Sequence, residues 1–331
     1  MKRRRQVFLL VITTALAVSS VSALEGNREI PARLLPVPDT VSPAMQAAAG
    51  APPLPFWNTH PKSADEWKAF VQQLAEVTLK RLPLLREQTG VKVEPTTIGG
   101  VQAFIITPRE VAEGNREWVL VHVHGGGYVL APGEAGTPEA ILMASFGRIR
   151  GISVYYRMPP DFPYPAAMDD AMAVYREVVK TTPAKKIGIF GTSTGGGMTL
   201  AMVLRAKQEG LPPPGAIAPA TPWSEMTKTG DTYFANEMVD NILVSNDGWL
   251  ADAANLYANG HGLKDPMLSP VYGDLQGFPP TILTSGTRDL FLSNTVRVHR
   301  KLRAAGVVAD LIVFEGQSHA QYLFVPDAPG G

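Results

Sequence analysis

Two short motifs supply a serine and a glycine-rich loop of the kinds that acyl-transfer chemistry uses. Gly191-Thr192-Ser193-Thr194-Gly195 has the pattern G-x-S-x-G, in which a sharp strand-to-helix turn presents the serine hydroxyl as a nucleophile. His124-Gly125-Gly126-Gly127 matches the loop whose backbone N–H groups bind the oxyanion of a tetrahedral intermediate. A chain with 6 His and 31 Gly contains H-G-G-G by chance only about 0.005 times. The motifs predict acyl transfer with Ser193 as nucleophile and the amides of Gly125, Gly126 and Thr194 as oxyanion donors.

The base that activates the serine should lie late in the chain. A serine hydroxyl is a poor nucleophile at neutral pH, so it needs a base and a third group that orients the base. In proteins with this elbow, an acid and then a histidine follow the serine along the chain. Of the six histidines, His319 alone comes after both Ser193 and the last predicted strand. We therefore expect His319 to be the base.

The sequence defines the orienting acid less narrowly than the base, because several aspartates follow Ser193. Asp289 follows a predicted strand and precedes His319 by 319 − 289 = 30 residues. It should lie at the carboxyl end of a strand beside the one that leads to His319, where active-site groups of open α/β sheets gather. A structural salt bridge is the alternative role for Asp289. Most of the other candidates fall in predicted loops or in an inserted segment: Asp231, Asp240, Asp247, Asp252, Asp265, Asp274 and Asp310.

Alternating strands and helices predict an α/β fold from residue 91 onward. Such alternation gives a mostly parallel sheet covered by helices on both faces, and a turn at Gly99-Gly100 adds a hairpin. The eight predicted strands are Val91–Thr97, Val101–Thr107, Trp118–Val123, Ile152–Tyr156, Ile187–Phe190, Ala216–Pro219, Thr281–Thr284 and Leu311–Phe314. Helices are predicted over Pro138–Gly147, Ala166–Lys180, Thr194–Glu209 and Asn294–Ala305.

Two segments lie outside this alternation. Residues 24–62 are rich in proline, which predicts an irregular arm without helices. Apolar residues at helical spacing then predict a helix over Ala64–Arg81 that ends at Pro83. Thr221–Leu263 is longer than one crossover requires and predicts an inserted lid, with an ordinary crossover carrying extra surface helices as the alternative.

The N-terminus has the three parts of a secretory signal peptide. Basic residues at positions 2–5 precede an apolar run over Val7–Val21, and small residues allow cleavage after Ala23. The run is shorter than the roughly 20 apolar residues of a membrane span. Residues 1–23 are therefore expected to direct export to the periplasm or the medium, with an uncleaved anchor as the alternative.

Composition excludes several other kinds of function. The chain has no cysteine, so it forms neither disulfides nor thiolate metal sites. Removal of residues 1–23 leaves 30 − 4 = 26 basic residues against 30 acidic ones, a net charge of −4. A slightly acidic protein of this kind is not expected to bind nucleic acid.

Two further stretches make the chain resemble the hormone-sensitive-lipase-like family of α/β-hydrolases, the bacterial family IV esterases. Residues 156–160, Y-R-M-P-P, are similar to the family's Y-R-L-A-P, and residues 265–270, D-P-M-L-S-P, to its D-P-x-x-S-P. The resemblance covers about residues 65–320. It implies an α/β-hydrolase fold whose cap combines N-terminal helices with an insertion. We accordingly expect an arm and cap helix over residues 24–90 and a catalytic domain over residues 91–331 that carries the cap insertion at about residues 221–263.

Three features depart from the family's usual pattern. Asp289-Leu290-Phe291 stands in place of D-P-L, and Thr194 stands where alanine is usual. The chain ends 331 − 319 = 12 residues after His319, where family members commonly have a further helix.

The resemblance implies a carboxylesterase that cleaves short- to medium-chain esters through an acyl-enzyme, with no metal and no cofactor. A lactone hydrolase would use the same triad, and a non-catalytic binder on a hydrolase scaffold or a peptidase are more distant alternatives. Aromatic residues near the loop and in the insertion, Tyr128, Trp223 and Phe234, are expected to line the substrate pocket. The expected partner is a small-molecule ester or lactone, and the sequence leaves open whether the protein is a homodimer.

Overall fold

The computed structural model describes residues 30–326. The predicted signal peptide, residues 1–23, lies outside that range. The chain divides after Pro36 into two units, and all the elements and contacts below belong to the unit that begins at Val37. Between residues 30 and 326, no helix is long and apolar enough to cross a membrane.

Eight strands form one sheet: β1 (Lys92–Ile98), β2 (Val101–Thr107), β3 (Val119–Val123), β4 (Arg150–Val154), β5 (Ile187–Thr192), β6 (Ala216–Ala220), β7 (Thr281–Gly286) and β8 (Ala309–Phe314). Their order across the sheet is β1-β2-β4-β3-β5-β6-β7-β8. β2 pairs antiparallel with β1 and β4, and every other pairing is parallel. The predicted eight-stranded, mostly parallel sheet is confirmed.

The crossover helices place four chain segments at the same edge of the sheet. These helices are α3 (Pro138–Gly147), α4 (Ala166–Thr181), α5 (Thr194–Gln208) and α8 (Leu292–Ala304). Because neighbouring parallel strands end at one edge, the residues that follow β5, β6, β7 and β8 lie side by side. Ser193 follows β5, Thr221 follows β6, and the segments with Asp289 and His319 follow β7 and β8.

Strand β4 is displaced by two residues from its predicted position. Ile152 pairs with Ile105 on one side and Val121 on the other, so the ladder centres on it. Tyr156, predicted as the last strand residue, lies beyond the end of β4, which is Val154. Its hydroxyl instead donates a 2.7 Å hydrogen bond to the carbonyl of His124. A contact from outside the strand therefore sets this boundary, which local sequence preference does not encode.

The first long helix runs through the proline that was predicted to end it. α2 spans Ala64–Thr89 with Pro83 inside it, and it ends at Gly90, whose φ is 66°. Proline removes one helical N–H and crowds the preceding turn, a cost of about 3 kcal/mol. The adjacent Leu82 is only 3% exposed, so tertiary packing offsets that cost. The helix ends instead at Gly90, which has the left-handed conformation that commonly terminates helices.

The proline-rich arm contains a helix, contrary to the prediction. α1 (Pro43–Ala49) begins with proline at its first position, where the missing N–H is not needed. The hydroxyl of Ser42 accepts from the amide of Met45 at 3.4 Å, and Met45 is 2% exposed. The Ser42 cap and the buried Met45 side chain therefore stabilise a short helix that proline content alone did not predict.

Two α-helices lie in the segment between β6 and β7. They are α6 (Thr232–Ala235) and α7 (Trp249–Ala258). The Trp249 ring of α7 lies 6.2 Å from the Phe70 ring of α2. Phe70 in turn contacts Phe56 of the arm, with ring centroids 5.9 Å apart. One aromatic cluster thus joins the arm, the long N-terminal helix and the segment predicted as a lid.

Candidate active site

The nucleophile elbow is strained and closely packed. Ser193 has φ 64° and ψ −123° between β5 and α5, a left-handed conformation that is costly for a residue with a side chain. Its N–H donates to the carbonyl of Ala220 at 3.0 Å, and its carbonyl accepts from Gly197 and Trp223 at 3.0 and 2.8 Å. A Cβ on Gly195 would lie 2.0 Å from the carbonyl oxygen of Val123. Glycine is needed there because β3 passes directly against the turn.

The glycine loop abuts the elbow. A Cβ on Gly125 would lie 2.7 Å from the carbonyl oxygen of Thr192 and 3.2 Å from Cβ of Ser193. Gly126 has φ 111° and Gly127 has φ 66°, conformations in which glycine is favoured. Thr194, the third expected donor, is the first residue of α5 and is fully buried. The structure therefore places Gly125 and Thr194, two of the three expected oxyanion donors, beside Ser193, and the third, Gly126, follows Gly125 in the same loop.

Gly125→Ala is expected to lower kcat about 10²-fold. The added methyl group would meet the backbone of Thr192, so the loop must shift and its amide would leave the oxyanion. Removal of one such donor costs on the order of 10²–10³ in kcat. Steady-state kinetics on a p-nitrophenyl ester would measure the loss. Gly114→Ala is the matched control, because a Cβ at Gly114 meets nothing within 4 Å. Wild-type kcat in Gly125→Ala would contradict the assigned role of the loop.

His319 and Asp289 form a buried pair. His319 Nδ1 lies 3.0 Å from Asp289 Oδ1, and the two side chains are 5% and 0% exposed. The other ring nitrogen, Nε2, is buried and has no hydrogen-bond partner within residues 30–326. The ring is thus held from one side and available from the other.

Four donors hold the Asp289 carboxylate. Oδ1 accepts from His319 and from the amide of Phe291 at 2.8 Å. Oδ2 accepts from the hydroxyl of Ser285 at 2.9 Å and from that of Thr221. Burial disfavours the charge, but the charge and hydrogen bond of His319 and the bond from Thr221 outweigh it, so the pKa of Asp289 falls below its ordinary value of 3.8. An ionised acid is what an orienting partner for histidine requires.

A second buried carboxylate, Asp240, lies beside this pair. Its oxygens accept from the amides of Ile242, Leu243, Leu290 and His319 at 2.8, 3.0, 2.9 and 3.3 Å. Burial and the charge of Asp289 raise the pKa of Asp240 to about 6. Asp240 bonds to the backbone of His319 and not to its ring, whereas Asp289 bonds to the ring. Asp289, and not Asp240, is therefore the carboxylate in position to orient the His319 ring.

His122 and His124 precede the loop and have structural contacts. His122 lies between Ser153 and Glu139, with its ring nitrogens 2.9 and 3.1 Å from their side-chain oxygens. His124 Nδ1 lies 2.8 Å from the carbonyl oxygen of Gly125. Burial lowers the pKa of His124 to about 3, so its ring is neutral at physiological pH. The contacts therefore give His122 a packing role in the sheet and place the His124 ring against the backbone of the glycine loop.

The three residues predicted to line a substrate pocket occupy different environments. Tyr128 is 1% exposed and stacks on Tyr257 with ring centroids 3.8 Å apart. Trp223 is fully buried and stacks on Phe291 at 5.6 Å. Both are core residues with almost no surface for a ligand in this conformation, whereas Phe234 is 63% exposed on the outside of α6. Aromatic content marks packing as readily as a pocket, so the sequence could not separate the two.

Sequence motifs gave no sign of the hydroxyls that hold the acid. Thr221 lies at the end of β6 and Ser285 within β7, and neither belongs to a motif. Thr221 has φ 33°, an unusual conformation for a β-branched residue. The only sequence signal available was position: Thr221 follows β6, the neighbour of β7, and Ser285 lies near the end of β7, the strand that precedes Asp289.

A family model described as alpha/beta hydrolase fold matches residues 120–323, more than half of the chain. The chain belongs to this family. A curated acetyl-hydrolase from Streptomyces hygroscopicus is 28% identical over 218 residues, which cover 64% of this chain and 71% of that protein. An esterase from Acinetobacter venetianus is 28% identical over 236 residues, covering 70% of this chain and 76% of its own length.

Solved structures narrow the class further. The crystal structure of an esterase E25 has a TM-score of 0.89 and 44% identity, covering 92% of this chain and 94% of that chain. An esterase from the bacterial hormone-sensitive lipase (HSL) family has a TM-score of 0.67 and 26% identity, covering 81% and 94%. The chain is a hormone-sensitive-lipase-like esterase and hydrolyses carboxylic esters, which confirms the predicted resemblance and enzyme class.

Proposed function

We propose that the chain hydrolyses carboxylic esters through an acyl-enzyme formed on Ser193, with His319 as base and Asp289 as orienting acid. The observation that carries the proposal is the His319 ring, whose Nδ1 lies 3.0 Å from Asp289 while its buried Nε2 has no partner within residues 30–326. An acid on one ring nitrogen fixes the tautomer in which the other nitrogen accepts a proton.

The proposed reaction has two stages. Ser193 Oγ attacks the ester carbonyl and gives its proton to His319 Nε2, while the amides of Gly125, Gly126 and Thr194 bind the oxyanion. The intermediate collapses to the acyl-enzyme, and the leaving alkoxide takes the proton from His319. Water then attacks the acyl carbon, giving a proton to His319, and collapse releases the acid and restores the Ser193 hydroxyl.

Short- to medium-chain acyl groups are the proposed substrates. A Cβ on Gly127 would lie 2.6 Å from the ring of Trp249, so α7 packs directly against the glycine loop. The Streptomyces relative is named an acetyl-hydrolase, which agrees with a small acyl group. A lactone would undergo the same chemistry, differing in that its leaving alcohol stays tethered to the acyl group.

Hydrolysis of p-nitrophenyl esters from acetate to laurate, alongside γ- and δ-lactones, tests this proposal. We expect kcat/KM to be highest for acyl chains from acetate to about octanoate and to fall beyond them, in keeping with the close packing of α7 on the glycine loop. A maximum at laurate would contradict the short-chain assignment. Lactone turnover that exceeds every ester would assign the protein as a lactone hydrolase.

Export remains a proposal that rests on residues 1–23, outside the described range. Expression of the full chain in a bacterial host, followed by fractionation and N-terminal sequencing, would test it. We expect an extracytoplasmic protein that begins at Leu24, and a cytoplasmic protein that retains Met1 would contradict export. Light scattering on the purified protein would decide whether it is a homodimer.

A further inference from the structure

A series of partly buried hydrogen bonds connects helix α3, the nucleophile strand and the segment that carries His319. Glu139, in the first turn of α3, accepts from the amide of Thr192 at 3.2 Å and from its hydroxyl at 2.7 Å. The Thr192 hydroxyl lies 3.0 Å from the hydroxyl of Tyr322. Thr192 immediately precedes Ser193, and Tyr322 follows His319 by three residues. One threonine hydroxyl thus contacts the segments that carry both the nucleophile and the base.

The hydrogen bonds of this series run in one fixed direction. A carboxylate accepts only, and a threonine hydroxyl has one hydrogen to donate. Thr192 gives that hydrogen to Glu139, so Tyr322 must donate to the Thr192 oxygen. Burial, assisted by the charge of Glu139, raises the pKa of Tyr322 well above its ordinary value of 10. The phenol therefore keeps its hydrogen throughout the working pH range.

The Glu139 end of this hydrogen-bond series is held by groups in the middle of the sheet. His122 of β3 contacts Glu139 with its Nε2 at 3.1 Å, and its Nδ1 lies 2.9 Å from the hydroxyl of Ser153 in β4. The His122 side chain is fully buried and that of Glu139 is 13% exposed. Because its two oxygens are engaged by groups from two strands, the carboxylate cannot rotate without breaking these bonds.

The Tyr322 end is tied to the His319 turn. The amide of Ser318 donates to the side-chain oxygen of Gln321 at 2.8 Å, which closes the turn on both sides of His319. The Tyr322 ring lies 6.0 Å from that of Phe314, at the end of β8. A displacement of Tyr322 would therefore displace the short turn that includes His319.

We propose that Tyr322, acting through Thr192, is a positioning residue for ester hydrolysis: it fixes the His319 turn against the end of the nucleophile strand. This inference rests on the proposed roles of Ser193 and His319. The Tyr322 hydroxyl bonds to Thr192 and not to Ser193 or His319, so its effect must come through geometry. A misplacement of about 1 Å can cost on the order of 10²-fold in rate, and a partial loss of alignment should cost less.

Tyr322→Phe and Thr192→Val remove the contact from either side. We expect each to lower kcat about tenfold, in line with a partial loss of alignment, while KM changes less than about twofold because no substrate contact is lost. Thr192→Ser keeps the hydroxyl and should restore kcat to within about twofold of wild type. Tyr175→Phe is the matched control, since it removes another buried phenol bond, at 2.6 Å to the carbonyl of Pro212.

The double variant separates positioning from general stability. If one contact is responsible, Tyr322→Phe with Thr192→Val should lose no more kcat than the worse single variant. Wild-type kcat in Tyr322→Phe would overturn the inference. Losses of kcat that multiply in the double variant would also overturn it. So would a kcat loss in Tyr322→Phe that equals the loss in Tyr175→Phe when both variants change Tm by the same amount. Ser193→Ala is measured in parallel, because an active Ser193→Ala would refute the proposed function itself.

Discussion

Ser193→Ala lowers kcat about 10⁶-fold on a p-nitrophenyl ester, the size of effect seen when a serine nucleophile is removed from a working triad. Alanine lacks the oxygen that forms the acyl-enzyme, while the oxyanion loop and the buried His319–Asp289 pair stay in place. The loss corresponds to about 8 kcal/mol of transition-state stabilisation. Alanine meets the same backbone strain at φ 64° as serine, so the fold is expected to be retained.

Stopped-flow and long-time steady-state assays would measure this loss, with circular dichroism as the check on folding. Ser145→Ala, a half-buried position on α3, is the matched control and should keep wild-type kcat. A folded Ser193→Ala protein that retains more than a few per cent of wild-type activity would mean that another group attacks the ester.

Asp289→Asn lowers kcat about 10⁴-fold, or about 5.4 kcal/mol. The hydroxyls of Thr221 and Ser285 donate to Oδ2, so the amide oxygen of asparagine stays on their side. Its NH₂ group then faces His319 Nδ1 in place of a carboxylate oxygen. That donor selects the tautomer with a hydrogen on Nε2, which cannot take the serine proton.

Asp240→Asn is the comparison that makes this prediction specific. Asp240 is as buried as Asp289, but it accepts a hydrogen bond from the backbone amide of His319 at 3.3 Å and not from the ring. We expect it to cost less than about 10² in kcat and to lower Tm, because backbone amides lose an acceptor. If Asp240→Asn proves the more damaging change for kcat, Asp240 and not Asp289 orients the base.

Residue order carried most of the information about the site. Once an elbow fixes Ser193 at the end of a parallel strand, the later strands must end at the same edge, and only His319 follows the last of them. The acid was harder to assign because many aspartates follow strands or lie in loops. Only the contact between Asp289 and the His319 ring separates it from the buried Asp240.

Contacts distant in sequence account for what the sequence did not predict. α2 continues past Pro83 because Leu82 is buried in the core. α1 forms in the proline-rich arm because Ser42 caps it and Met45 is buried. The contact between Thr192 and Tyr322 spans 130 positions. No pattern of local spacing could reveal such a pairing, although Thr192 lies within the elbow motif and Tyr322 follows His319 by three residues.

Covalent labelling is the most direct test of the central claim that Ser193 is the nucleophile. Diethyl p-nitrophenyl phosphate transfers its diethylphosphoryl group to an activated serine and releases p-nitrophenolate, and the serine proton passes to the base. We expect one label per chain, on the peptide that contains Ser193, with activity falling in proportion and no label on Ser193→Ala. A label on any other residue, or full activity in stoichiometrically labelled protein, would contradict the account.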